Sequence, residues 1–206
     1  MTLANGLWTK SAVYLWSDTA YWASAYSAKR RIVMHQPKLA VGEDWPYAFV
    51  TSGNSTGLAA VASAVLRGRP RNFWELRDCV RGALAEFVGK GDGGRTLIAS
   101  FADQPRMTMI DSEQFCEYPP LTVMELRPQQ ICSNAGRPET MRLIEAGVTV
   151  DTMPDIIRAQ HSDWDHENGA LIAGTIGRVK VTRRGVEAAD IDELPDPTAG
   201  KASGGT

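Results

Sequence analysis

The sequence predicts an α+β fold: two antiparallel sheets between helical layers, a four-layer αββα sandwich. Three observations lead there. Strand-like runs, a helix pair, more strands, a second helix pair and final strands follow one another, without the strand-helix alternation of a doubly wound parallel sheet. The helices carry apolar stripes on one side, and such a stripe has to be covered by a sheet or by other helices. With 206 residues, 43% of them hydrophobic, the chain is long enough to bury a substantial core as one domain.

Residues 2–8 and 12–17 are short apolar and aromatic runs separated by Thr9-Lys10-Ser11, the pattern of a β-hairpin. Residues 31–35 predict a third strand, stopped by Gln36-Pro37 because proline has no N–H for a ladder. Residues 47–51 predict a fourth. In the first helix Leu58, Val61, Ala62, Val65 and Leu66 recur at helical spacing, with Asn54 or Ser55 as cap. The second has Asn72 as N-cap and Glu75 three residues on, and places Phe73, Leu76, Val80, Leu84, Phe87 and Val88 on one side before Gly89. Strands resume at 96–101, 107–110 and 121–126, with Asp103-Gln104-Pro105 as a turn. Helices over 138–146 and 155–164 precede one or two strands within 170–182. The domain is expected to end at 191, because residues 192–206 are rich in Gly, Ser, Pro and acids without apolar periodicity and read as a disordered tail.

Charge removes several function classes. Lys and Arg number 22 against 24 Asp and Glu, and no basic cluster could neutralise a run of phosphates, so no nucleic-acid partner is expected. No apolar run approaches the roughly 20 residues of a membrane helix, and the first six residues lack the basic and apolar regions of a secretory signal. A cytoplasmic location without membrane contact is expected. Cys79, Cys116 and Cys132 have no CxxC spacing and read as buried reduced thiols.

Thr2 is the residue with the most chemistry to offer. Removal of Met1, which a small second residue permits, leaves one residue with both a hydroxyl nucleophile and a free α-amine to act as its base. An α-amine titrates at about 7.7–8.0, near working pH, whereas a lysine side chain titrates near 10.4.

The stretch from Thr2 through Leu7-Trp8-Thr9-Lys10-Ser11 to Ser17-Asp18 resembles the opening of proteasome β-type subunits and the related HslV peptidases, which are N-terminal nucleophile (Ntn) hydrolases. Those proteins begin with a threonine, a β-hairpin and an aspartate at the end of the second strand. Pro37-Lys38-Leu39 resembles their lysine-bearing segment, and Tyr47-Ala48-Phe49-Val50-Thr51-Ser52-Gly53 the strand and glycine that enter their first helix. The resemblance implies Thr2 as nucleophile, Lys38 lowering the proton affinity of the amine, and Asp18 orienting Lys38. It further implies the Gly53 N–H as oxyanion donor and Thr51 and Ser55 as pocket residues. A serine in a glycine-rich turn and a late acid would assist, and Ser133 with Asp163 or Asp165 stand nearest those places. The implied reaction is hydrolysis of a peptide or small amide, needing no metal or organic cofactor. The implied assembly is a homo-oligomer, a ring being one arrangement, and an ATPase partner is left open.

Other readings compete. A silent scaffold or assembly protein could carry the same fold. Gly53-Asn54-Ser55-Thr56-Gly57 satisfies G-x-S-x-G between a strand and a helix, so Ser55 is an alternative serine nucleophile, with Asp163 or Asp165 and His161 or His166 as partners. His161 and His166 are five apart and do not share one helical face, so the segment reads as a solvated helix end rather than a metal site. Gly89-Lys90-Gly91-Asp92-Gly93-Gly94 lacks the ending of a P-loop and reads as a turn.

Overall fold

A computed structural model of the chain describes residues 3–25, 28–53, 55–90, 94–126, 130–131, 138–163 and 172–197. Of the functional expectations, Thr2, Ser133, Asp165 and His166 lie outside the described residues, as does the side chain of Asp163. The fold is α+β, with four helices among the described residues.

The first hairpin forms as predicted: β1 (Ala4–Trp8) pairs antiparallel with β2 (Ala12–Ser17), and the Thr9 hydroxyl and backbone close the turn onto Ala12. A second hairpin follows, β3 (Ala20–Ala25) with β4 (Ala28–His35), where only the last part of β4 was expected. Next come β5 (Leu39–Val41) and β6 (Tyr47–Gly53), then α1 (Ser55–Gly68) and α2 (Phe73–Ala85). Asn72 caps α2 as its side chain accepts from the Glu75 N–H at 3.0 Å, while the Glu75 carboxylate accepts from Arg71 N–H and from the Asn72 amide. After the helices come β7 (Gly94–Phe101), β8 (Pro105–Asp111), β9 (Val123–Glu125) and β10 (Gln130–Ile131). The chain ends with α3 (Pro138–Ala146), α4 (Met153–Asp163), β11 (Gly174–Thr182) and β12 (Gly185–Leu194).

Among the described residues the strands form two five-stranded antiparallel sheets, ordered β10-β1-β2-β11-β12 and β5-β6-β7-β8-β9, and the separate two-stranded β3-β4 sheet. Side-chain alternation along the strands sorts the core into three clusters. Val13, Leu15, Val179 and Val181 of the first sheet meet Ala48, Val50, Leu97 and Met109 of the second. On the other face of the second sheet, Phe49, Ile98 and Ile110 pack against Val61 and Val65 of α1 and Leu76, Val80 and Leu84 of α2. On the other face of the first, Leu3, Leu7, Trp16 and Ile176 pack against Met153, Ile156 and Ile157 of α4.

Several expectations are corrected. Leu66, assigned to the buried stripe of α1, is 78% exposed, and α2 stops before Phe87 and Val88. Cys116 is exposed and Cys79 only half-buried, so neither is the buried thiol expected, and Cys132 lies outside the described residues. The final strand β12 was not anticipated and runs to Leu194, which is buried, beyond the boundary expected at 191. Register with β11 makes it a strand, and its last three residues, 192–194, fall within the segment expected to be a tail.

Candidate functional site

The antiparallel pairing of β1 with β2 brings Leu3, the residue bonded to Thr2, back to residues 17 and 18. The Leu3 N–H donates to Asp18 Oδ1 at 3.0 Å and the Ser17 hydroxyl donates to the Leu3 carbonyl at 2.9 Å. Both backbone groups of Leu3 are therefore fixed at the end of β2. A buried amide pair holds β1 from its helical face: Asn5 Nδ2 donates to Gln160 Oε1 at 2.7 Å, and Gln160 Nε2 returns a bond to Asn5 Oδ1 at 3.2 Å.

Asp18 is fully buried. Its carboxylate also accepts from the Ala20 N–H, and Lys38 Nζ lies 3.0 Å from Oδ1. Lys38 enters from the chain between β4 and β5, donates a second bond to the Ala20 carbonyl, and sits over the Tyr21 ring. Two of the three ammonium N–H groups are thus engaged. Burial pushes the Lys38 pKa down, against the opposing pull of Asp18. Burial likewise pushes Asp18 up, against Lys38 and the two backbone donors. Each group's ionisation therefore depends on the other's.

The remaining expected residues are spread along β6 and the start of α1. Gly53 closes β6 with φ at +136°, a conformation only glycine adopts without strain, and is exposed. Ser55 is the exposed first residue of α1. Thr51 is buried, and its hydroxyl pairs with that of Thr96 at 2.9 Å on the neighbouring strand. That hydroxyl is used within the sheet, which argues for a structural part rather than the pocket part assigned to it.

The elbow reading of Ser55 meets a topological obstacle. Gly53 and Ser55 do flank a strand-to-helix turn, but β6 lies in an all-antiparallel sheet, whereas a nucleophile elbow crowns an α/β-hydrolase sheet. His161 directs Nε2 to the Pro195 carbonyl at 3.1 Å, at the far end of β12. Among the described residues no group of three His, Cys, Asp or Glu side chains is placed to hold a metal. None of the described helices is long and apolar enough to cross a membrane.

The pattern missed one neighbour of the pair altogether. Thr19 Oγ1 lies 3.3 Å from His35 Nδ1, joining the base of the second hairpin to the residue after Asp18. Gly174, at φ +76°, lies beneath: a Cβ there would stand 2.3 Å from His35 Nδ1. A glycine at the first position of a strand gives no hint of this in a sequence.

No family model matches the sequence. No curated protein matches it either. Solved structures do superimpose. The Gly-1 mutant of Anbu from Hyphomicrobium sp. strain MC1 aligns over 94% of this chain and 90% of its own, with a TM-score of 0.65 at 14% identity. The fold is shared with Anbu. A second Anbu structure from the same organism aligns over 93% of this chain and 88% of its own, with a TM-score of 0.63 at 12% identity. Anbu, the ancestral β-subunit of the proteasome, has a proteasome-like Ntn-hydrolase fold. The resemblance to proteasome β-type subunits and HslV is corrected accordingly: no sequence-level family match supports it, and both of these superimposed structures are Anbu chains. At 12–14% identity the likeness is one of fold.

Proposed function

We propose that the chain is a threonine-type N-terminal nucleophile hydrolase of amide or peptide bonds, built as a four-layer αββα sandwich. The three core clusters support that layering, since each is made where a sheet meets a sheet or a helix pair. One observation carries the chemistry: the peptide nitrogen joining Leu3 to Thr2 donates to the same Asp18 carboxylate that binds Lys38.

In this reading Thr2 Oγ attacks the substrate carbonyl as its proton passes to the Thr2 amine. The C–N bond breaks, the leaving nitrogen takes that proton, and water hydrolyses the resulting ester to release the acid and restore the hydroxyl. A Lys38 ammonium disfavours a second positive charge nearby and so keeps the Thr2 amine in its basic form. Asp18 holds Lys38 in place, and the Gly53 N–H is the proposed donor to the developing oxyanion. The substrate is a peptide or small amide, and the working form is a homo-oligomer.

The amino alcohol at the chain start tests the reading without a known substrate. Intact-mass analysis is expected to show protein lacking Met1. Mild periodate, which cleaves 1,2-amino alcohols, is expected to convert Thr2 to a terminal glyoxylyl group. Retained or acetylated Met1 in the purified protein would remove the base on which the mechanism depends.

A further inference from the structure

A cavity of about 470 Å³ opens between the facing edges of the two sheets, where β5 borders one and β12 the other. That volume lies within the roughly 300–1,000 Å³ of small-molecule sites. Asp18 and Lys38 are among its lining residues, but their side chains are buried and their charges are paired with each other.

Strand register tells which side chains face the cavity. Cross-strand partners in a ladder share a face. Leu15, opposite Val179, belongs to the cluster between the sheets, whereas Trp16, opposite Arg178, belongs to the cluster on the helical side. Arg178 therefore contributes backbone here and turns its guanidinium to the helical face. Asp190 lies opposite Gly177, and Gly177 opposite Ser17, one step along from Trp16. Asp190 accordingly stands on the inter-sheet face, beside Ala188, which lies opposite Val179. Across the gap, Leu39 and Val41 are the inward residues of β5, opposite Val50 and Ala48. Leu39 comes within 3.3 Å of where a Gly177 Cβ would be. Among the described residues Asp190 makes no ion pair.

An apolar slot with one uncompensated carboxylate at its mouth selects a cation on an aliphatic stem. The stem would cover Leu39, Val41 and Val179, and the charged head would remain at the wet rim beside Asp190. We propose that this cleft binds a small free organic cation, a primary ammonium on a short alkyl chain, with Asp190 as its counter-ion. The site lies on the inter-sheet side of β5, whereas Thr51 shares the helical side of the same sheet with Phe49. The cleft shares Asp18 and Lys38 with the proposed hydrolytic group, whereas its cation-selecting carboxylate, Asp190, has no part in that chemistry.

The test is a protein-observed NMR titration of the full chain with n-butylammonium, n-butanol and butyrate. Saturable shifts are expected at Leu39, Val179 and Ala188 with the ammonium. Binding of butanol should be at least tenfold weaker, and butyrate should give no shifts there. Asp190→Asn should weaken butylammonium at least tenfold at unchanged Tm. Val41→Lys, at a residue 47% exposed, adds an internal ammonium and should abolish binding. Equal affinity in Asp190→Asn, or butanol binding as tightly as butylammonium, would overturn the proposal. So would an Asp190→Asn protein that self-associates with its ligand affinity intact, since the carboxylate would then only guard an edge strand.

Discussion

Lys38 Nζ and Asp18 Oδ1 lie 3.0 Å apart with both side chains closed off from water. Removing water from two charges costs several kcal/mol per ion, which their attraction recovers only with good geometry and further hydrogen bonds. Here the Leu3 and Ala20 N–H groups and the Ala20 carbonyl supply those bonds. The pair thus fixes three segments, the start of β1, the end of β2 and the entry to β5, at one point.

Loss of a single partner should strand the other as a buried charge. Lys38→Met or Asp18→Ala is expected to destabilise the fold by about 3–5 kcal/mol. Asp18→Asn combined with Lys38→Met removes both charges while keeping an acceptor for the Leu3 N–H, and should be milder than either. Urea unfolding of the four proteins checks this, and additive losses would contradict it.

The same pair sets a pH dependence of stability. Asp18 is raised in the fold, so between its ordinary value of 3.8 and the raised value the folded state holds more protons, and stability falls as pH rises. Lys38 is lowered, so between the lowered value and 10.5 the folded state holds fewer protons, and stability climbs with pH. Unfolding free energies measured across both windows should show these slopes in the wild type and lose them in the Asp18→Asn, Lys38→Met double variant.

Behind β1, Asn5 and Gln160 form the buried amide pair that ties this strand to α4. Gln160→Leu should cost about 1–3 kcal/mol by taking the Gln160 amide away from the buried Asn5 side chain. If β1 positions the nucleophile, the same variant should also lower kcat more than it raises KM. Unfolding curves and steady-state kinetics on the same preparation separate the two effects.

Gly53 offers a fourth check. At φ +136° an alanine is strained, so Gly53→Ala should lose about 1 kcal/mol or more. If its N–H faces the oxyanion, kcat should fall far more than this modest stability loss explains, as read from the same two measurements.

How much of this was legible in the sequence depended on whether a residue's neighbours were local. The β1–β2 turn and the Asn72 cap rest on residues three or four apart, and both formed as expected. The pattern missed β12 because Glu187, Asp190, Asp192 and Glu193 interrupt any apolar alternation; pairing with β11 decides its conformation. It likewise missed most of the β3–β4 hairpin, which pairs with neither large sheet. Asp18 and Lys38 are 20 residues apart, and no spacing rule joins them. Their meeting was expected only through a family resemblance, which the comparisons correct: no family model matches, and the shared fold is that of Anbu. The Thr19, His35 and Gly174 cluster, drawn from the β2–β3 link, the end of β4 and the start of β11, had no sequence signal.

Turnover of a fluorogenic peptide panel by the wild type, Thr2→Ala and Ser55→Ala tests the central claim most directly. The account predicts hydrolysis by the wild type and by Ser55→Ala, and a loss of at least a thousandfold in kcat for Thr2→Ala, the order of a removed catalytic nucleophile. Equal turnover by wild type and Thr2→Ala, or activity destroyed by Ser55→Ala alone, would contradict it.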